Sequence, residues 1–367
     1  MLSRQSFSSL PGWSTNDPRA ALAAFRRSCA SLEKLAPAEA MGGAGYAGTV
    51  GDWRAACSAA PHAQSSAGSA RAFFETWFTP VAVIAAQTSD GLFTGYYEPE
   101  LAVSRVRHGP YQTPIYGLPK DLITAELGLF KPALAGQKIS GRVVGKTFVP
   151  YATRGEIDAE GLEQAPILVY GSDPVQVFFL HIQGSGRARF DGGRFERIAY
   201  AGQNGRPYTP IGRALIAAGD IERADMSMQA IRAWLTAHPR AGRAMMERDQ
   251  SFVFFKEEPI GDSALGPKGS EGVALTPGAS LAVDEHLHPL GAPVYIATDA
   301  PVLHRLLVAQ DTGGAIKGAV RGDVFWGFGS KAEATAGAMT AHGHMYVLLP
   351  KLVAARIDSR TRYGVAK

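Results

Sequence analysis

Three N-terminal stretches, RAALAAFRRSCASLEKL, GDWRAACSAA and ARAFFETWF, place apolar residues at helical spacing and predict a helical region running to about Phe78. Alternation then takes over. GLFTGYYEPEL, from Gly91 to Leu101, reads as a strand ending at a cleft, with Tyr96 and Tyr97 on opposite faces. One ring of this pair is expected to pack inward while the other offers its face and hydroxyl outward. Between about Val103 and Ser251, HGPYQTPIYGLP, RVVGKTFVPYA and PILVYG predict strands, and FFLHIQGSGRARF reads as a buried strand entering a turn. IGRALIAAG and MSMQAIRAWLTAHP predict helices, the first opened by Pro210 with Thr209 as its cap. Short runs punctuated by Gly and Pro follow: VFFKE, SLAVDEHL, VYIATD, LLVAQD, DVFWGF and MYVLLP. They predict a small closed barrel, which leaves no open sheet edge.

A length of 367 residues with 46% hydrophobic content is enough for two or three packed domains. The formal charge of +4 describes a mildly basic surface, without the dense basic patch that nucleic-acid binding requires. No run approaches the ~20 apolar residues that span a bilayer, and the opening MLSRQSFSSLPGW lacks a signal-peptide core. Cys29 and Cys57, the two cysteines, sit in separate helical segments. An oxidising compartment would join them; a reducing one would leave two buried thiols.

The densest candidate chemistry is VAQDTGGAIKGAVRGDVFWGFG, where Asp311 and Asp323 flank a glycine-rich turn. Gly313 and Gly314 let the backbone approach a ligand closely, although aspartate and glycine also populate ordinary turns. Lys317 either balances these acids or points to solvent. Neutral polar groups recur at successive turns: Gln183, Ser185 and Gly186 in IQGSG, then Gln203 and Asn204 in YAGQNG. Such an inventory suits an uncharged, hydroxyl- and amide-rich polymer such as an N-acetylated glycan better than a phosphate ligand, which calls for clustered arginines. GGAIKG lacks the spacing and the hydroxyl residue of a phosphate loop. His342 and His344 have no third ligand, and His286 and His288, alternating on an expected strand, have no nucleophile to serve. Neither a metal nor another cofactor is expected.

In order, GYYEPEL, IQGSG, YAGQNG, DMSMQAIRAW, SFVFF, VDEHLHPLG and DTGGAIKG give the chain from about Gly91 to Leu349 a resemblance to the membrane-bound lytic murein transglycosylase A family. The resemblance implies a mainly β protein with an α-helical N-terminal region. A double-psi β-barrel, built from residues 1–102 and 252–367, would carry an inserted β-rich domain at 103–251, with a glycan in the groove between them. It implies cleavage of the β-1,4 bond between N-acetylmuramic acid and N-acetylglucosamine, leaving a 1,6-anhydro end. Asp311 would act as acid and then base, supported by Asp323 and Asp284; both supporting residues also read as architectural aspartates at strand ends, and for Asp284 that reading is preferred. Tyr96, Tyr97 and Glu98 would line the substrate side with the polar residues named above. The implied partners are peptidoglycan strands and cell-wall synthesis or division assemblies, for a periplasmic monomer tied to the outer membrane through a lipid anchor that this chain does not carry. Two other readings stay open: an expansin-like glycan-binding module, and a hydrolase using Asp311 as acid and Asp323 as base.

Overall fold

The computed structural model describes residues 1–85, 90–300 and 303–357. It divides into two compact units, Met1–Tyr97 with Asp262–Lys367, and Glu98–Gly261.

The first unit holds the barrel. Its strands are β1 (Gly91–Glu98), β2 (Ser280–Ala282), β3 (Pro293–Thr298), β4 (Arg305–Asp311), β5 (Arg321–Phe328) and β6 (Thr340–Pro350). They pair in the order β6-β3-β4-β2-β5-β1, and β1 closes the ring on β6, with Thr94 opposite Thr340 and Gly91 opposite Gly343. β2 runs parallel to β4 and antiparallel to β5. Burial explains the apolar runs: all six residues of β3 lie inside, as a strand covered on both faces requires. Strands Leu2–Arg4 and Phe78–Val83 extend the sheet beyond β6.

Three helices, α1 (Arg19–Leu32), α2 (Val50–Ala59) and α3 (Ala67–Trp77), match the expected N-terminal region. Thr49 and Asp52 form a capping box that starts α2, and the Ser66 hydroxyl accepts from the Ser69 N–H at the start of α3. Leu22, Phe25, Cys29 and Leu32 form the buried stripe of α1, and Phe25 meets Phe73, Phe74 and Phe78 at ring separations of 5.5–6.1 Å. Each such ring contributes roughly 1.5–3 kcal/mol by leaving water. Cys29 and Cys57 are joined as a disulfide, tying α1 to α2.

In the second unit, six strands are ordered Val253–Glu258, Phe195–Gln203, Gly186–Arg189, Glu100–Ser104, Ile167–Gly171 and Thr113–Tyr116. A separate three-stranded sheet comprises Ile123–Glu126, Lys138–Val144 and Thr147–Pro150. The unit begins before and ends after the expected 103–251 block because Glu100–Ser104 and Val253–Glu258 are strands of its sheet. VFFKE therefore belongs here and not to the barrel.

Other local expectations are corrected. FFLHIQ lies in the helix Pro174–Gln183: Asp173 caps it, Pro174 opens it, and Gly184 ends it at φ 77° in the left-handed region. Its apolar run is that of a helix buried nearly all round. Thr209 is not a cap; its N–H donates to Asp249, and the helix Ile211–Ala218 starts after Pro210 without a side-chain cap. His286 and His288 occupy a turn after β2, and Lys317 sits in the β4–β5 loop, so neither site alternates along a strand.

Candidate active site

Register in the barrel brings two acids level with each other. Ala282 of β2 pairs with Asp323 of β5 on one side and with Asp311 of β4 on the other. The β2–β4 register slips by one residue between Leu281 and Ala282, so Asp311 rather than Gln310 occupies that rung. Strand β1 supplies a donor to each acid. The Tyr96 hydroxyl donates to Asp311 Oδ2 at 2.7 Å, and the Thr94 hydroxyl donates to Asp323 Oδ1 at 2.7 Å. Thr94 and Tyr96 share a face because they lie two residues apart on a strand. Gly95 between them is needed on the opposite side, where a Cβ would come 2.7 Å from the Trp326 ring and 2.9 Å from Ala336 Cα.

A loop completes the shell of Asp311. Ser270 donates its backbone N–H (3.0 Å) and its hydroxyl (3.1 Å) to Oδ1. Gly269 permits this approach, since a Cβ there would stand 2.4 Å from the Gln310 carbonyl. Arg321 donates to the Thr94 hydroxyl at 2.8 Å and so braces the donor to Asp323.

Burial dominates the electrostatics. It raises Asp311 above the ordinary aspartate range, against the opposing pull of Tyr96, Thr312 and Ser270, whose donors favour the carboxylate. Burial likewise lifts Asp323 to about 6; Thr94 and Arg321 oppose the rise, and the charge of Asp311 adds to it. Tyr96 is held neutral, its phenol pushed well above the usual range by burial and by the adjacent Asp311. This cluster therefore has a half-buried carboxyl with raised proton affinity beside a second acid, as acid–base chemistry near neutral pH requires.

The remaining predicted residues separate into accessible and structural ones. Asp284 is buried and accepts from Gly318 N–H (2.9 Å) and His286 N–H (3.3 Å), with Lys317 Nζ at 3.9 Å, which is the architectural role. Lys317 is exposed; Gly314 is exposed too, with open space where a Cβ would point, while a Cβ on Gly313 would meet the Ile316 side chain. Tyr97 is the inward ring of its pair. Tyr96, expected to offer a free hydroxyl and ring face, instead commits its hydroxyl to Asp311 and packs its ring 5.3 Å from Phe325.

Glu98 does not line a cleft. It is fully buried and bridged by Arg187 (2.8 Å) and Arg197 (2.6 Å), a compensated internal charge. Asn204 is also fully buried: its amide donates to the Ala152 and Gln250 carbonyls and accepts from the Arg206 and Phe252 N–H groups. Ser185 is buried, and Gly186 serves packing, since a Cβ would strike Leu180 and Leu101. Gln183 is partly exposed at its helix end, and Gln203 is exposed at the end of its strand. His288 is held neutral by burial, its pKa lowered to about 4, between the Tyr46 hydroxyl and the Ala319 carbonyl. Among the described residues no three His, Cys, Asp or Glu side chains converge as a metal cage.

Sequence reasoning missed Thr94, Ser270 and Arg321. Thr94 carried a signal, its two-residue offset from Tyr96. Ser270 carried none, lying 41 residues from Asp311 in an irregular loop.

Comparison with known proteins places this geometry in a lineage. Residues 92–256 match the MltA specific insert domain, and residues 279–349 match the 3D domain. Membrane-bound lytic murein transglycosylase A of Escherichia coli K12 is 35% identical over 269 residues, 70% of this chain; the match spans 65% of that relative's length. The crystal structure of membrane-bound lytic murein transglycosylase from Agrobacterium tumefaciens superposes with a TM-score of 0.85 at 32% identity, covering 97% of this chain and 99% of that one. E. coli MltA with bound chitohexaose gives a TM-score of 0.65 at 28% identity, covering 90% of each chain. The chain belongs to the membrane-bound lytic murein transglycosylase A family.

Proposed function

We propose that this protein is a peptidoglycan lytic transglycosylase in which Asp311 is the single acid and base. The observation that carries the reading is the Asp311 carboxyl: partly open to solvent, raised in proton affinity by burial, and fixed by donors on both oxygens. The relative with bound chitohexaose supports a glycan as the ligand.

In the first step Asp311 gives its proton to the glycosidic oxygen, and the bond from that oxygen to C1 of the muramic acid breaks. Positive charge develops on the sugar ring. Asp323, ionised above about pH 6, lies on the same rung and stabilises that charge. The C6 hydroxyl of the same sugar then attacks C1, and its proton returns to Asp311. The product is a 1,6-anhydro sugar, no water is consumed, and the carboxyl is restored. A two-carboxylate hydrolase would instead need an activated water or a covalent intermediate. In the barrel unit Gly313, Gly314 and Lys317 are the accessible predicted residues for contacts to the glycan, while Asp284 holds the β4–β5 loop. The substrate places the enzyme in the periplasm, where the Cys29–Cys57 disulfide persists.

Digesting purified peptidoglycan with wild type and Asp311→Asn in parallel, followed by mass spectrometry, tests the proposal. Anhydro-muropeptides from wild type alone are expected. Products heavier by one water mean hydrolysis, and equal anhydro product from the variant moves the chemistry away from Asp311. Glycan binding without any product means a binding module.

A further inference from the structure

The three-stranded sheet of the second unit leaves one face uncovered. Val143 pairs with Phe148, Ala125 with Ile139, and Ile123 with Gly141, so these residues share a face. Ile123 (43%), Ile139 (46%), Val143 (54%) and Phe148 (38%) are all exposed there. The Phe148 ring lies over Gly141, where a Cβ would meet it at 2.9 Å. The connection between the first two strands raises Leu129 and Phe130, 83% and 76% exposed, more than any other large apolar residues described. A half-buried sheet normally alternates apolar and polar residues, with the apolar face covered.

Basic residues are concentrated in this segment. Residues 120–146 contain Lys120, Lys131, Lys138, Arg142 and Lys146 against Asp121 and Glu126, an excess of three positive charges where the whole chain has four. All five are exposed; Lys131 follows Phe130 and Lys146 stands in the Val143–Phe148 hairpin, while Lys138 and Arg142 project from the opposite face of their strand. Both acids are engaged internally: Glu126 pairs with Lys138 at 3.0 Å, and Asp121 accepts from the Tyr151 hydroxyl at 2.8 Å.

We infer that this face binds an anionic phospholipid surface, with Leu129 and Phe130 inserted at the headgroup boundary and Lys131 and Lys146 on the phosphates. Charge complementarity selects the occupant. Apolar side chains that project from a loop gain by burial in the acyl boundary, while adjacent lysines extend back to the headgroups. A protein partner would be met by a recessed apolar patch with a neutral centre, not by the two most projecting side chains beside cationic ones.

The purified chain is sedimented with vesicles of neutral phosphatidylcholine and with vesicles containing 30% phosphatidylglycerol, at low and high salt. Partition into the anionic vesicles, weakened by salt, is expected. Leu129→Ser with Phe130→Ser should lower it about tenfold or more, and Lys131→Glu with Lys146→Glu by at least about fivefold per lysine. Because these side chains are exposed, circular dichroism and melting of both variants should overlay wild type. The inference is overturned if wild type stays in the supernatant with anionic vesicles, or if both variants pellet as wild type does. Light scattering that shows a dimer lost in the Leu129/Phe130 variant, without vesicle binding, would assign the face to a second copy instead.

Discussion

Tyr96→Phe removes one hydroxyl from the candidate site and leaves the ring that packs on Phe325 in place. That hydroxyl donates to Asp311 Oδ2 at 2.7 Å, and such a bond favours the ionised carboxylate. A hydrogen bond to a charged group is worth about 1.5–3 kcal/mol, and one pKa unit corresponds to about 1.4 kcal/mol. The two Ser270 donors on Oδ1 remain and hold part of the effect, so the lower end applies, a rise of about one unit. The sign follows directly: losing a bond made to the charged form raises the pKa of Asp311. In the proposed reaction Asp311 starts protonated, so the alkaline limb of kcat/KM reports its pKa in the free enzyme. The limb should move upward by about one pH unit in the variant, measured as release of soluble fragments from purified peptidoglycan between about pH 4 and 9. An unchanged limb, or one displaced to lower pH, would refute the assignment of Asp311 as the proton donor held by Tyr96.

Glu271, its pKa raised from 4.5 to about 7 by burial and only partly offset by the Ser28 hydroxyl, binds its proton more tightly in the folded chain. Its stabilisation is complete below about pH 4.5 and is lost as pH rises from there through 7, so Glu271→Gln should leave melting at about pH 4 nearly unchanged and stabilise at pH 8 by up to about 3 kcal/mol. Replacing Cys29 and Cys57 with serine opens a disulfide closing 28 residues of chain and should cost about 3–4 kcal/mol in denaturant titrations. Glu98→Gln leaves Arg187 and Arg197 uncompensated and should lower stability by about 3–5 kcal/mol, with kcat of the surviving folded fraction unchanged.

The barrel strands were legible because a strand buried on both faces must read as an apolar run, as VYIATD does. That same property hid the helix Pro174–Gln183, whose apolar run has no periodicity to distinguish it from a strand. Asp173-Pro174 at one end and Gly184 at the other were the decisive signals, and they are helix boundaries, not strand boundaries. Asp311 and Asp323 could be found from local glycine context, and Tyr96 from strand alternation, whereas Ser270 could not, since it reaches Asp311 across 41 residues from an irregular loop. Glu98 and Asn204 resemble cleft residues in sequence because polarity at a turn looks the same whether it faces a ligand or satisfies the interior. Glu98 finds its arginines 89 and 99 residues away.

The rung shared by Ala282, Asp311 and Asp323 works as a ruler. Neighbouring strands stand ~4.8 Å apart, so the backbones bearing the two acids are held about two such steps from each other by the sheet itself. Lengthening or shortening the β4–β5 loop would change what the proposed glycan substrate meets above this rung and leave the interval alone. Only a change in side-chain length, aspartate to glutamate, moves one acid relative to the other, and it does so in increments of a single methylene. Under the proposed reaction, substrate preference and proton chemistry are therefore adjustable separately in this barrel, one through loop sequence and the other through a fixed spacing.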